Sequence, residues 1–259
     1  MFLKLVKHEL HETARMLLPV FAGLLLFAAM ARAMIWVMEQ NDHVVLVFMG
    51  TLFISLFVFA CIACVILTAI LMMVRFTKSV HGDEGYLTHT LPVGVHSILL
   101  SRLLITVLSL AAALGVTYLA IRLCTWNVKA MEDFNMIFTS GFEYLGLDSG
   151  FLWRVVASVF VSLVTTVLLI FAAISIGHSF NRGKVGFSIL FYFAMNTTAS
   201  VISTLLALVF SSSFLDSEAA ELSTFSQQSF LLSLCINLIF CGVYYFLTWI
   251  MTKKRLNLS

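Results

Sequence analysis

VVLVFMGTLFISLFVFACIACVILTAILMMV, residues Val44 to Val74, contains no charged side chain. As a helix rising about 1.5 Å per residue it reaches roughly 45 Å, more than the hydrocarbon core of about 30 Å requires. The stretch is read as a membrane span that tilts or projects beyond the bilayer. On either side of it lie five more apolar segments, so that residues 17–38, 44–74, 97–121, 152–176, 185–210 and 230–251 are the expected spans. Residues 1–16 carry Lys4, Lys7 and Arg15 beside Glu9 and Glu12, with Phe2, Leu3, Leu5, Val6 and Leu10 as apolar area, the pattern of an amphipathic interfacial helix. The expected fold is an all-α polytopic membrane protein of six transmembrane helices, one transmembrane domain over residues 1–259.

Composition points the same way. Hydrophobic residues make up 61% and charged residues 11% of the chain, and the mean hydropathy is +1.04, which excludes a water-soluble fold. Spans and short connections consume the length and leave no room for a nucleotide-binding or catalytic domain. Trp36, Trp126, Trp153 and Trp249 fall near segment ends, where an indole gains from the headgroup region. Leu17 to Met30 with Ala31-Arg32-Ala33 imitates a secretory signal, but is expected to remain as a span.

Orientation follows from the basic residues, because cationic loops resist translocation. With six spans the termini share a side, and that side holds Lys4, Lys7, Arg15, Arg75, Lys78, Arg102, Arg182, Lys184, Lys253, Lys254 and Arg255, eleven of the fifteen. Glu39, Asp42, Glu132, Asp133, Glu143, Asp148, Asp216, Glu218 and Glu221 fall on the other side. Both termini are therefore expected in the cytoplasm. The net charge of +2 and the scatter of the basic residues do not suggest nucleic acid as a partner.

No catalytic or metal-binding site is expected from the motifs the sequence carries. His8-Glu9-Leu10-His11 places its histidines three apart, whereas a zinc-protease helix needs them four apart to share a face. Gly177 to Val185 has the wrong spacing for a phosphate loop, and Val185 stands where a hydroxyl is required. Cys61-Ile-Ala-Cys64 lies in mid-span without the polar surroundings that make a thiolate, and is read as packing. Arg32, inside the first span, is expected to snorkel or to pair with Glu39 two turns on. Asn196, Ser200, Ser203 and Ala207 share one face of segment five, and Ser233, Asn237 and Cys241 repeat the pattern on segment six. Such stripes serve helix packing or a substrate path. For the path the candidates are Asn196, Ser200, Ser203 and Asn237. Ala111 with Gly115, and Ala173 with Gly177, are small pairs suited to close helix approach.

The connection between segments two and three carries Gly82-Asp83-Glu84-Gly85-Tyr86-Leu87-Thr88-His89-Thr90-Leu91-Pro92. Gly82 permits a sharp entry, Asp83 and Glu84 suit the positive end of a helix, and Pro92 disfavours continuation beyond Leu91. A two-turn helix is expected, with Tyr86, Leu87, Thr90 and Leu91 on one side. That apolar surface calls for a cover, protein or membrane lipid.

This run resembles the membrane subunits of type-2 ABC exporters of Gram-positive bacteria, and the six-span layout and amphipathic N-terminal segment agree with it. The resemblance implies a permease subunit in the bacterial cell membrane, paired with a second copy or a sister permease. It also implies separate ATPase subunits that carry ATP and Mg, with no cofactor on this chain. By position the coupling helix would be Asp83 to Leu91, and Asp83, Glu84, Gly85, Tyr86, Leu87, Thr90, Leu91 and Pro92 would dock the ATPase. Helical extracellular elements are frequent between the last two spans of that family, whereas Ser211 to Ser229 is short. The implied cargo is an amphiphilic peptide, lipid or drug moved outward. A non-transporting scaffold or sensor docking a partner through residues 82–92 is the alternative.

Overall fold

A computed structural model describes residues 2–40, 43–81, 95–125, 136, 149–180, 183–215 and 222–254. They form six helices: α1 (Phe2–Gln40), α2 (Val44–His81), α3 (Val95–Cys124), α4 (Ser149–Gly177), α5 (Lys184–Leu215) and α6 (Leu222–Lys254). Each is long and apolar enough to cross a membrane, and no strand occurs among the described residues. The expected all-α six-span class is the observed one, because in hydrocarbon a helix satisfies every backbone group within its own segment.

The N-terminal amphipathic segment forms the opening turns of α1, which continues through Pro19 to Gln40. Glu9, Thr13, Leu17, Leu24, Ala28 and Ala31 are the buried face of that helix. Proline lacks an N–H, so Pro19 cannot bond the carbonyl four residues earlier, where a helix tolerates a bend.

The chain divides into two compact units, Met1–Val74 with Leu104–Asn135, and Arg75–Leu103 with Met136–Ser259. In the first unit Leu24, Ala28 and Ala31 of α1 meet Phe57 and Cys64 of α2 and Ala120 and Cys124 of α3. Alanine and cysteine at these contacts let backbones approach, the main source of helix association where lipid is as apolar as leucine. Cys61 packs at the edge of this cluster, and all five cysteines are free, in keeping with the packing reading of Cys61 and Cys64. Arg32 Nη1 lies 3.7 Å from Glu39 Oε1, the ion pair expected from their spacing. Gly50 faces Met38 so closely that a Cβ there would overlap the thioether.

In the second unit α4 is the central element and packs on both α5 and α6. Val167, Leu168 and Leu169 are consecutive and all buried, as are Phe171, Ala172, Ala173, Ile174 and Ser175. Successive residues of a helix point about 100° apart, so this stretch of α4 is covered on every side. Phe76, near the end of α2, stacks on Phe171 with ring centroids 3.8 Å apart and planes 5° from parallel. Of the expected small pair, Ala173 is buried and Gly177 lies at a close approach to α5. A Cβ on Gly177 would overlap the Ser188 side chain and stand 2.6 Å from its backbone nitrogen. The chain then turns through Gly183, whose φ of +71° is left-handed and suits glycine. By contrast Ala111 and Gly115 are exposed, and nothing lies within 4 Å of a Cβ built on Gly115.

Four buried span hydroxyls are tied to their own helices. Thr68 donates to the Cys64 carbonyl, Ser101 to Ile98, Thr248 to Tyr244 and Thr252 to Thr248, at 2.7 to 2.8 Å. This removes unsatisfied polar groups from a medium that has no water to offer.

Candidate functional site

Within the second unit, α5 and α6 diverge around a cleft of about 570 Å³. Its walls are Ser203, Thr204, Ala207, Leu208 and Phe210 of α5 and Ser229, Leu232, Ser233, Ile236 and Asn237 of α6. Small side chains at Ser203, Ala207 and Ser233 leave the space that leucines would fill. Two of the four path candidates, Ser203 and Asn237, are brought together here. Asn196 and Ser200 lie on exposed turns of α5 and do not line the cleft.

The polar groups are partly committed. Asn237 Nδ2 donates to the Ser233 carbonyl at 2.9 Å, and Thr204 donates to the Ser200 carbonyl at 2.8 Å. Thr165 of α4 shares its hydroxyl proton between the Val161 carbonyl of its own helix at 2.9 Å and the Asn237 backbone carbonyl of α6 at 3.2 Å, a contact between the two helices behind the cleft. A carboxamide that donates one N–H in this way still has oxygen lone pairs to accept with. The cleft thus offers a mostly apolar wall with a few acceptors. No group of three or more metal-ligating side chains gathers among the described residues.

The other site expected from the sequence, Asp83, Glu84, Gly85, Tyr86, Leu87, Thr90, Leu91 and Pro92, lies outside the described residues. Its two flanks are described, and both are firmly packed. At the end of α2, Phe76 and Ser79 are buried, and in the opening turns of α3 so are Ile98, Leu99 and Ser101. The segment joining these helices therefore leaves from, and returns to, fixed points in one unit.

Sequence reading missed one cluster at this same end of the unit. His96 in the first turn of α3 meets Tyr245 and Trp249 of α6, and Lys253 lies over the Trp249 ring. The four-residue spacing of Tyr245, Trp249 and Lys253 was the available signal, since it places them on one strip of a helix. Comparison of the chain with protein-family models, with curated proteins and with solved structures finds no match.

Proposed function

We propose that the chain is the permease subunit of an ATP-driven exporter that moves an amphiphilic peptide, lipid or drug across a bacterial cell membrane. Separate ATPases, carrying ATP and Mg, energise it by docking on Asp83 to Leu91, and a second copy or sister permease completes the assembly. The observation that carries this reading is the Asp83 to Pro92 run, with its helix-start acids, apolar face and proline stop, between two helix ends anchored in one unit. A movement imposed on such a segment is passed to α2 and α3, where a slack loop would absorb it. The α5–α6 cleft supports the amphiphile as cargo. Co-purification of a cytoplasmic ATPase, with ATP turnover stimulated by an amphiphilic substrate, tests the reading. A chain that docks a partner without substrate-stimulated turnover is a scaffold or sensor instead.

The proposed orientation has both termini in the cytoplasm. Ser79 is buried, so a cysteine there would stay unlabelled on either side of the membrane. His43, Met136, Lys78 and Lys253 are exposed and make better reporters. In a cysteine-free background, cysteines at 43 and 136 are expected to react with an impermeant maleimide in intact cells, and those at 78 and 253 only after permeabilisation. Labelling at 78 in intact cells would reverse the topology.

For the cleft, Ser203→Leu with Asn237→Leu fills the space and removes the amide while staying compatible with lipid. Transport is expected to fall at least tenfold with thermal stability held within about 1 kcal/mol, since Asn237 donates only within its own helix. Normal transport with a large stability change would assign these residues to packing.

A further inference from the structure

On α6, Tyr245, Trp249 and Lys253 form a strip beside the buried one of Tyr244, Thr248 and Thr252. The His96 imidazole stacks on Trp249 with ring centroids 5.0 Å apart and 21° between planes, and its Nδ1 is 3.1 Å from Tyr245 Oη. Lys253 Nζ stands 5.1 Å from the centroid of the same indole. His96 begins one span-length segment and Lys253 ends another, so the cluster sits where hydrocarbon gives way to headgroups.

Charge at this end is one-sided. Arg75, Lys78, Lys184, Lys253 and Lys254 all belong to the ends of helices in this unit, and no aspartate or glutamate occurs among its described residues. The Lys253 ammonium thus has an aromatic face as its contact and no carboxylate from the described part of its own unit. An ammonium at a membrane surface gains most from an anionic neighbour.

We infer that His96, Tyr245, Trp249 and Lys253 bind the phosphate of an anionic phospholipid headgroup. Lys253 supplies charge and N–H donors. A neutral imidazole and a phenol hold two protons between them; one closes the His96–Tyr245 bond and the other remains to donate to a phosphate oxygen. Trp249 is the platform that places both donors around one headgroup. Phe246, exposed and 5.8 Å from Trp249, extends an apolar surface beside the cluster for an acyl chain, which inorganic phosphate could not use. A choline headgroup carries its own ammonium, which the positive charge here repels.

The test uses the full chain with Trp36→Phe, Trp126→Phe and Trp153→Phe, which leaves Trp249 as the reporter. It is reconstituted in vesicles holding brominated phosphatidylglycerol or brominated phosphatidylcholine at equal mole fraction. Quenching of Trp249 is expected to show roughly fivefold preference for the anionic lipid, the contribution of one lysine near a membrane surface. The preference is expected to vanish in Lys253→Gln, to persist in Lys253→Arg, and to weaken in His96→Phe, which keeps the stacking and loses the hydrogen bond. Equal quenching by both lipids in the parent, or an unchanged preference in Lys253→Gln, would overturn the site. Loss of the preference in millimolar inorganic phosphate, but not in chloride of equal ionic strength, would assign the site to a free anion and overturn the lipid assignment.

Discussion

Tyr86→Ala combined with Leu87→Ala is expected to abolish association with the proposed ATPase while membrane insertion stays normal. Burying two such side chains in a partner pocket contributes roughly 3 to 6 kcal/mol before ordering costs, whereas an exposed ion pair at the rim contributes about 1 kcal/mol or less. Loss of the apolar anchors therefore weakens binding by roughly a hundredfold or more, since each 1.4 kcal/mol is about tenfold. Glu84→Gln alone is expected to have a smaller effect that fades in high salt, because a rim charge is screened by ions and a buried ring is not. Co-purification and ATPase turnover of the reconstituted complex check both variants. Should the double variant bind and transport normally, the docking assignment fails and the exporter reading loses its main support. A normal result for Glu84→Gln alone would leave it standing.

Phe171→Ala is expected to give the largest stability loss of any single substitution in the second unit, about 3 to 5 kcal/mol. Phe171 is 1% exposed and Phe76 2%, so neither ring can relax into lipid to recover its contacts. The cavity left behind also faces the stacked Phe76 ring, which loses its partner across 3.8 Å. Thermal unfolding in detergent measures this directly, with Phe171→Leu expected to cost less because it refills part of the space. A functional consequence follows from the position of Phe76, five residues before the end of α2 at His81. It pins the last turns of α2 to α4, so a weakened stack lets a push on the 82–94 connection dissipate before it reaches the centre of the unit. On the exporter proposal, Phe171→Leu, milder and still folded, is expected to keep the ATP turnover of the reconstituted complex while transport per ATP falls. Equal losses of turnover and transport would show that the stack supports folding alone.

The reach of sequence reading differed between fold and site. Spans were legible because the requirement is one-dimensional: a run such as Val44 to Val74 with no charge must leave water, and lipid admits it only as a helix. The Arg32 and Glu39 pair and the close approach at Gly177 were legible for a related reason, since helix geometry fixes which residues share a face. Ala111 and Gly115 show the limit of that logic. The same small-residue spacing lies exposed there, because spacing says that a close approach is allowed and not that a neighbour is present. The polar stripe of α5 divided for the same reason. Ser203 and Ala207 face the cleft with Asn237, while Asn196 and Ser200 lie away from it.

The number of spans, the membrane composition and the segregation of charge along the chain were already present in the sequence, because each depends on what a single helix can do in lipid; where each helix ends was not, since α1 runs from Phe2 to Gln40 and α2 on to His81. The tertiary structure decided which helices meet: that α4 is the centre of its unit, that Phe76 stacks on Phe171, and that His96 joins Tyr245 and Trp249 across a separation of 149 residues from the tyrosine. These are pairings between faces whose apolar character is nearly uniform, so hydrophobicity cannot choose among them. Shape chooses instead, through the close fit of small residues, stacked rings and single hydrogen bonds that only the packed helices bring together.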